Sequence, residues 1–199
     1  MPAYADTSFL ARVYTPHADS TKALTWMQRA AEALPFTPLH RHELRNAVRL
    51  RVFRGEITAE QRKEAFREID ADLADNILAH TTIPWTTAFQ EAESLAAAHT
   101  ETLGVRSFDL LHVGMAVALG ATEFLTFDAR QAALAKAAGL KVKPRPASAN
   151  NSPRAGVSPH FHATKALKGS PIRPRKPGGP KWIPPAGAAS GSAARSIRN

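Results

Sequence analysis

Four acidic residues in this chain stand where chemistry would need them. Asp6 closes the apolar opening "AYAD", and Asp128 closes a second apolar stretch, "EFLTFD". Asp109 lies in the first turn of "SFDLLHVGMAVALG", the most apolar helical segment, and Glu43 lies near the start of the basic segment "HRHELRNAVRLRVFRG". Carboxylates gathered at one end of a fold repel one another and persist only if protons or cations neutralise them. With Cys 0 and no paired-histidine pattern, an oxygen-only donor set suits Mg2+ or Mn2+, which take a few carboxylates and keep exchangeable waters. Such a site is suited to phosphodiester hydrolysis, because the cation generates a hydroxide and stabilises the attacking and leaving oxygens.

Each acid also has a plainer reading. Asp6 and Asp128 both precede a helical stretch and could be N-caps that accept an amide hydrogen bond. Asp109 could complement the positive end of its helix, with Ser107 as the cap. Glu43 alone would be a solvated helix residue. The chemical reading rests on the combination.

The elements that must position these residues alternate strand and helix. "PAYAD" reads as a strand and "SFLARVY" as the start of a helix, and a second helix is expected from about 19 to 34 with Leu24, Met27, Ala31 and Leu34 at helical spacing. "PFTPL" is a short strand weakened by its prolines. The basic helix follows and is closed by Gly55. The next helix starts near Thr58 with an apolar stripe at Phe66, Ile69, Leu73 and Ile77. A strand is expected to end about "TTIPW", a helix to stop at Gly104, and "EFLTFD", "ARQAALAKAAG" and "LKVKP" to form strand, helix and strand. Helical crossovers between strands imply a parallel sheet covered on both faces, so the expected class is α/β. In such sheets ligands bind outside the carboxyl ends of the strands, which is where the acids fall.

Charge divides the chain. Residues 1–144 hold 16 Lys+Arg against 17 Asp+Glu, whereas 145–199 hold 10 Lys+Arg and no acid. That tail has 22 Pro, Gly and Ser in 55 residues, too little apolar surface to offset the entropy of ordering, so it is expected to be a disordered basic segment. It reads as an electrostatic arm or as a solvated linker. With no signal-peptide succession and no apolar run of about 18 residues, the expectation is a soluble, cytoplasmic protein without a membrane segment.

"ADTSFL", "HELRNAV", "SFDLLHVGMAVALGATEFLTFDARQ" and the closing "GLKV" together resemble the PIN-domain family of metal-dependent ribonucleases, and within it the VapC-type toxins of bacterial toxin–antitoxin pairs. The resemblance spans 1–144 and implies a three-layer α/β/α fold with a central, mostly parallel sheet. Carried over by position, the family's acidic site maps to Asp6, Glu43, Asp109 and Asp128 as catalytic and metal-holding residues, with Ser8 and Thr126 as supporting hydroxyls. It further implies endonucleolytic RNA cleavage leaving 3′-hydroxyl and 5′-phosphate ends, Mg2+ with Mn2+ as an alternative, a cognate antitoxin partner and a homodimer. The tail has no counterpart in that pattern.

Phosphate binding needs cations, and the segment Arg41 to Arg54 carries five arginines and one acid, Glu43. Arg45, Arg49 and Arg51, with Arg130 just past Asp128, are therefore candidates for an RNA path. A solvated or antitoxin-binding face is the alternative for that helix. His112, three residues after Asp109, reads better as a hydrogen-bonded core histidine than as half of a metal pair. "HRHEL" lacks the second histidine of a zinc protease, and "DADLADN" lacks the glycine and terminal glutamate of a calcium loop. The competing functional class is a non-catalytic PIN-fold RNA-binding protein that acts through its basic tail.

Overall fold

A computed structural model of the protein describes residues 2–144. The expected tail at 145–199 lies outside the described residues. The chain runs β1 (Ala3–Ala5), α1 (Thr7–Tyr14), α2 (Ser20–Arg29), β2 (Leu34–Phe36), α3 (Pro38–Phe53), α4 (Ala59–Ala74), β3 (Leu78–His80), α5 (Trp85–Leu103), α6 (Ser107–Ala118), β4 (Glu123–Leu125), α7 (Ala129–Ala137) and β5 (Lys141–Lys143).

All strand pairing is parallel, in two pieces. Among the described residues β1 pairs with β4 and β4 with β5, while β2 pairs with β3 alone. β2 runs beside β1 without a ladder, so the spatial order is 3-2-1-4-5. From β1 the chain steps outward through β2 and β3, then returns to β4 on the other side of β1. The crevice that this reversal opens lies at the carboxyl ends of β1 and β4, the strands followed by Asp6 and by Thr126 to Asp128.

Strand alternation sends successive side chains to opposite faces. Ala3, Ala5 and Leu125 bury against Phe9, Leu10, Leu44, Val48 and Ile69 from α1, α3 and α4. Tyr4 and Phe124, paired in register and stacked 5.7 Å apart at 15°, bury against Ala88, Leu95, Val113, Met115 and Leu134 from α5 to α7. The result is the expected three-layer α/β/α arrangement, and each large side chain fully buried there contributes roughly 1.5–3 kcal/mol.

Several boundaries differ from the sequence reading, among them the strand expected over "EFLTFD", which ends at Leu125 with Asp128 at the N-cap of α7. The second helix ends at Arg29, because 34–36 pair as β2, and Pro38 starts the next helix instead of prolonging the strand. Proline suits the first helical position, and Thr37 caps the turn by accepting from the amide of His40. The stripe of α4 stops short of Ile77, because Asn76 takes a left-handed φ of 54° after the helix end. β3 precedes "TTIPW", whose Pro84 has no amide for a ladder and stands at the N-cap of α5.

α6 is buried for a steric reason. Gly114 lets α5 approach so closely that an added Cβ would meet the carbonyl oxygen of Ala88 at 2.5 Å. That fit holds α6, and with it Asp109 and His112, against the back of the sheet.

Candidate active site at the carboxyl ends of β1 and β4

Asp6 sits at the crevice with no solvent exposure. Its amide donates to the carbonyl of Leu125 at 2.9 Å, which ties it to β4. Its carboxylate is the N-cap of α1 and accepts from the amide of Phe9 at 2.8 Å. Ser8 Oγ donates to it at 2.8 Å and Thr126 Oγ1 at 2.6 Å. The same two hydroxyls accept amides of the β4–α7 loop, Ser8 from Phe127 and Thr126 from Asp128, each at 2.9 Å. Burial pushes the Asp6 carboxyl above its ordinary range, even though Thr126, the charge of His112, Phe9 and Ser8 all pull the other way. The plain reading of Asp6 as a cap is thus part of the structure. Neither Thr7 nor Ser8 replaces it there.

Glu43, from the second turn of α3, is held by two partners. Thr7 Oγ1 donates to its Oε2 at 2.9 Å, and His112 Nε2 shares that oxygen in a close contact. A carboxylate only accepts, so Nε2 carries the proton. Tyr4 Oη lies 2.8 Å from the other ring nitrogen of His112. Burial pushes Glu43 upward, but His112, Thr7 and His42 outweigh it and hold the carboxyl below its ordinary range. Tyr4 is pushed well above the usual phenol range by burial and by the charges of Asp6 and Glu43, so it keeps its proton.

His40 braces the same corner. Nε2–H donates to the carbonyl of Ala5 at 2.8 Å, on the side where β2 forms no ladder with β1. Nδ1 accepts the amide of Thr37 at 3.1 Å. Burial, with a contribution from His112, lowers its pKa to about 3, so the ring is a neutral strut.

Asp109 and Asp128 are joined through Gln131. Asp109 accepts from its own helix start, the amide of Arg106 at 3.0 Å, and from Gln131 Nε2 at 2.8 Å. Arg106 therefore stands at the cap position where Ser107 was expected. Asp128 caps α7 through the amides of Arg130 and Gln131 at 2.8 and 3.1 Å. Gln131 Oε1 is buried and has no hydrogen-bond partner among the described residues.

Hydrogen bonds link three of the acids in series and hold Glu43 separately. Asp6 connects through Thr126 to the Asp128 backbone, Asp128 through Gln131 to Asp109, and Glu43 through Thr7 to the start of α1. Among the described residues no three His, Asp or Glu side chains form a ready-made cation cluster. The donor chemistry nevertheless fits a hard divalent cation. The oxygens are hard, and among the described residues the fully buried Asp6 has neutral hydrogen-bond donors alone and Gln131 Oε1 has no donor.

The arginines of α3 go elsewhere. Arg45 is bidentate to Asp70 of α4 at 2.8 and 3.0 Å, and Arg45 and Arg49 lie over the Phe66 ring at 4.8 and 5.1 Å. They fasten α3 to α4 and do not join the acids. Arg51 bonds Glu56 at 2.8 Å and the carbonyl of Pro16 at 2.9 Å. Arg130 is exposed beside Asp128. The sequence reading missed Tyr4, Thr7 and Gln131 as site residues, although all three lie within or next to the quoted motifs. It placed His112 in the core, where the ring is 1% exposed, without pairing it to Glu43.

Beyond this geometry, the family model for the PIN domain matches residues 3–137. The chain belongs to the PIN-domain family. Domains of this family are typically nucleases and generally use divalent metal ions. Among solved structures, VapC20 of Mycobacterium tuberculosis, described as a sarcin–ricin loop cleaving toxin, is 16% identical over 66% of this chain and 93% of its own, with a TM-score of 0.51. FitAcB from Neisseria gonorrhoeae is 16% identical over 70% of this chain and 95% of its own, with a TM-score of 0.50. VapBC2 from Rickettsia felis, bound to a DNA fragment from their promoter, is 16% identical over 72% and 98%, at 0.49. At that identity the likeness to VapC20 and FitAcB speaks to the fold alone. No curated protein matches the chain. No helix among the described residues is long and apolar enough to cross a membrane.

Proposed function

We propose that this PIN domain is a metal-dependent endoribonuclease and the toxin of a type II toxin–antitoxin pair. The observation that carries the catalytic reading is Asp6, a carboxylate without solvent exposure at the sheet's crevice, with neutral hydrogen-bond donors and an upward-pushed pKa. That arrangement is costly for a fold and useful to a cation site. The toxin reading draws on the VapC-type pattern of its motifs and on the description of VapC20 as a loop-cleaving toxin. It brings with it a cognate antitoxin, a homodimer and a cytoplasmic site of action.

Asp6, Glu43, Asp109 and Asp128 would hold Mg2+, or Mn2+ in its place, and the bound cation would supply a hydroxide at neutral pH and stabilise charge on the phosphoryl oxygens. Ser8 and Thr126 fix both oxygens of Asp6 and tie them to the β4–α7 loop, so that the carboxylate and the start of α7 keep their spacing. His112 and Thr7 hold Glu43 ionised and oriented from one side, leaving Oε1 without a hydrogen bond among the described residues. Gln131 orients Asp109 through its Nε2. Arg130, exposed at the start of α7, is placed for a phosphate.

The test is cleavage of purified RNA by the full chain. Activity should require Mg2+ or Mn2+ and vanish in Asp6→Asn and Asp109→Asn, and calorimetry should detect cation binding that Asp6→Asn abolishes. Undiminished cleavage in EDTA would end this reading. RNA binding that survives both substitutions without any cleavage would favour a non-catalytic binding protein.

A further inference from the structure

A second charged cavity opens beside α1, outside the acidic crevice. It is a cleft of about 300 Å³ between α1, the α1–α2 turn and the end of α3, lined by Arg12, Arg51, Arg54, Glu56, His17 and Leu50. Its volume is at the lower end for ligand sites. Burial, followed by the charges of Arg12 and Arg51 and against those of Asp19 and Glu56, pushes His17 below its ordinary value, so at neutral pH the ring is uncharged. The walls then carry three guanidinium groups against one carboxylate, Glu56. Asp19 lies nearby, but Lys22 pairs with it at 2.8 Å.

The three arginines are not equivalent. Arg51 bonds Glu56, Thr15 and Pro16 through its three nitrogens. Arg54 is 60% exposed and, among the described residues, meets Glu56 alone, at 3.9 Å. Arg12 lies between the two sites. Its Nη1 donates to the carbonyl of Ser8 at 2.7 Å, and its guanidinium lies 4.6 Å from the centre of the Phe127 ring, between Thr126 and Asp128 in sequence. Its Nε is buried and has no hydrogen-bond partner among the described residues. A half-exposed Leu50 supplies an apolar ledge. Two guanidinium groups with N–H donors beyond those bonds, net positive charge and continuity through Phe127 with the loop that holds Asp6 together describe a seat for a backbone phosphate.

We propose that this cleft is a phosphate subsite of the RNA path, with Arg12 and Arg54 as the contacting residues, holding a phosphodiester that flanks the one cut at the acids. The assignment rests on the ribonuclease reading for the identity of the strand. It moves the electropositive path away from Arg45 and Arg49, which face α4.

The probe is a labelled single-stranded RNA decamer, bound to the full chain across a salt series in EDTA. Loss of one phosphate contact lowers the slope of log Kd against log salt by about 0.7 for a single strand. Arg12→Gln and Arg54→Gln should each show that drop, while Arg67→Gln, the same charge change on a 75% exposed side chain of α4, should not. The basic tail is common to all variants and cancels in the comparison. If Arg12→Gln fails to fold, the exposed Arg54→Gln carries the test. Unchanged slopes in both variants would overturn the subsite, as would unchanged RNA binding with lost affinity for a decaglutamate peptide, which would make the occupant an acidic protein segment. Wild-type cleavage with unchanged slopes would leave the nuclease reading standing and remove the subsite. Reduced slopes with no cleavage in Mg2+ would do the reverse.

Discussion

Replacing Asp6 separates its two roles, because Asn and Ala remove different things. Asn is as good an N-cap as Asp, and it keeps an oxygen for the amide of Phe9. Ala loses the cap, at about 1 kcal/mol, and leaves the hydroxyls of Ser8 and Thr126 without their acceptor, at roughly 1 kcal/mol each. Removing the buried charge offsets part of that in both variants. Asp6→Ala should therefore be about 1–3 kcal/mol less stable than Asp6→Asn, or roughly 3–10 °C in Tm. The pH dependence has a definite sign. A carboxyl whose folded pKa is raised above the ordinary 3.8 contributes stability that is complete below that value and is lost as pH rises through the folded pKa. Asp6→Asn has no such loss, so in EDTA its Tm should gain on wild type from pH 4 upward and then level off. Adding Mg2+ should raise the Tm of wild type and leave Asp6→Asn unmoved. Thermal melts between pH 4 and 8 read all of this. A pH-independent difference, or Asn as damaging as Ala, would refute the account of Asp6 as a buried carboxylate held by neutral donors.

Other outcomes follow from single contacts. Gly114→Ala should cost about 1–3 kcal/mol in a denaturant melt, because its Cβ would press on the carbonyl of Ala88 and push α5 off α6; an unchanged midpoint would contradict the close approach. His112→Ala should lower cleavage about 10–100-fold. It should also shift the acidic limb of the rate profile to higher pH, since burial then acts on Glu43 without its main opposing partner. A lost rate with an unmoved limb would mean that His112 only fills space. Arg45→Gln should leave RNA cleavage within about twofold and cost about 0.5–1 kcal/mol of stability through Asp70 and Phe66, and a selective loss of RNA affinity would restore the α3 arginines to the substrate path.

Much of the fold was legible because its signals are local. Alternating strands and helices, the glycine stops at Gly55 and Gly104, and acids at strand ends are all written within a few residues of where they act. Errors arose where short-range signals competed: Pro38 reads equally as a weak strand residue and a helix start, and Ile77 continues a helical stripe that Asn76 has already ended. The prolines and the left-handed turn decided these cases through backbone geometry.

By itself the sequence determined the parallel α/β class and the placement of Asp6, Glu43, Asp109 and Asp128 at strand ends and helix starts, since periodicity and capping chemistry depend on neighbouring residues. Only the tertiary structure decided what those acids touch. His112 meets Glu43 from 69 residues away, and Thr126 reaches Asp6 across 120. Arg45 turns to Asp70 and Phe66 on α4, and Arg12 stands alongside the crevice. Such pairings follow from the 3-2-1-4-5 strand order, which brings β1 and β4 together only after the chain has gone out to β3 and returned.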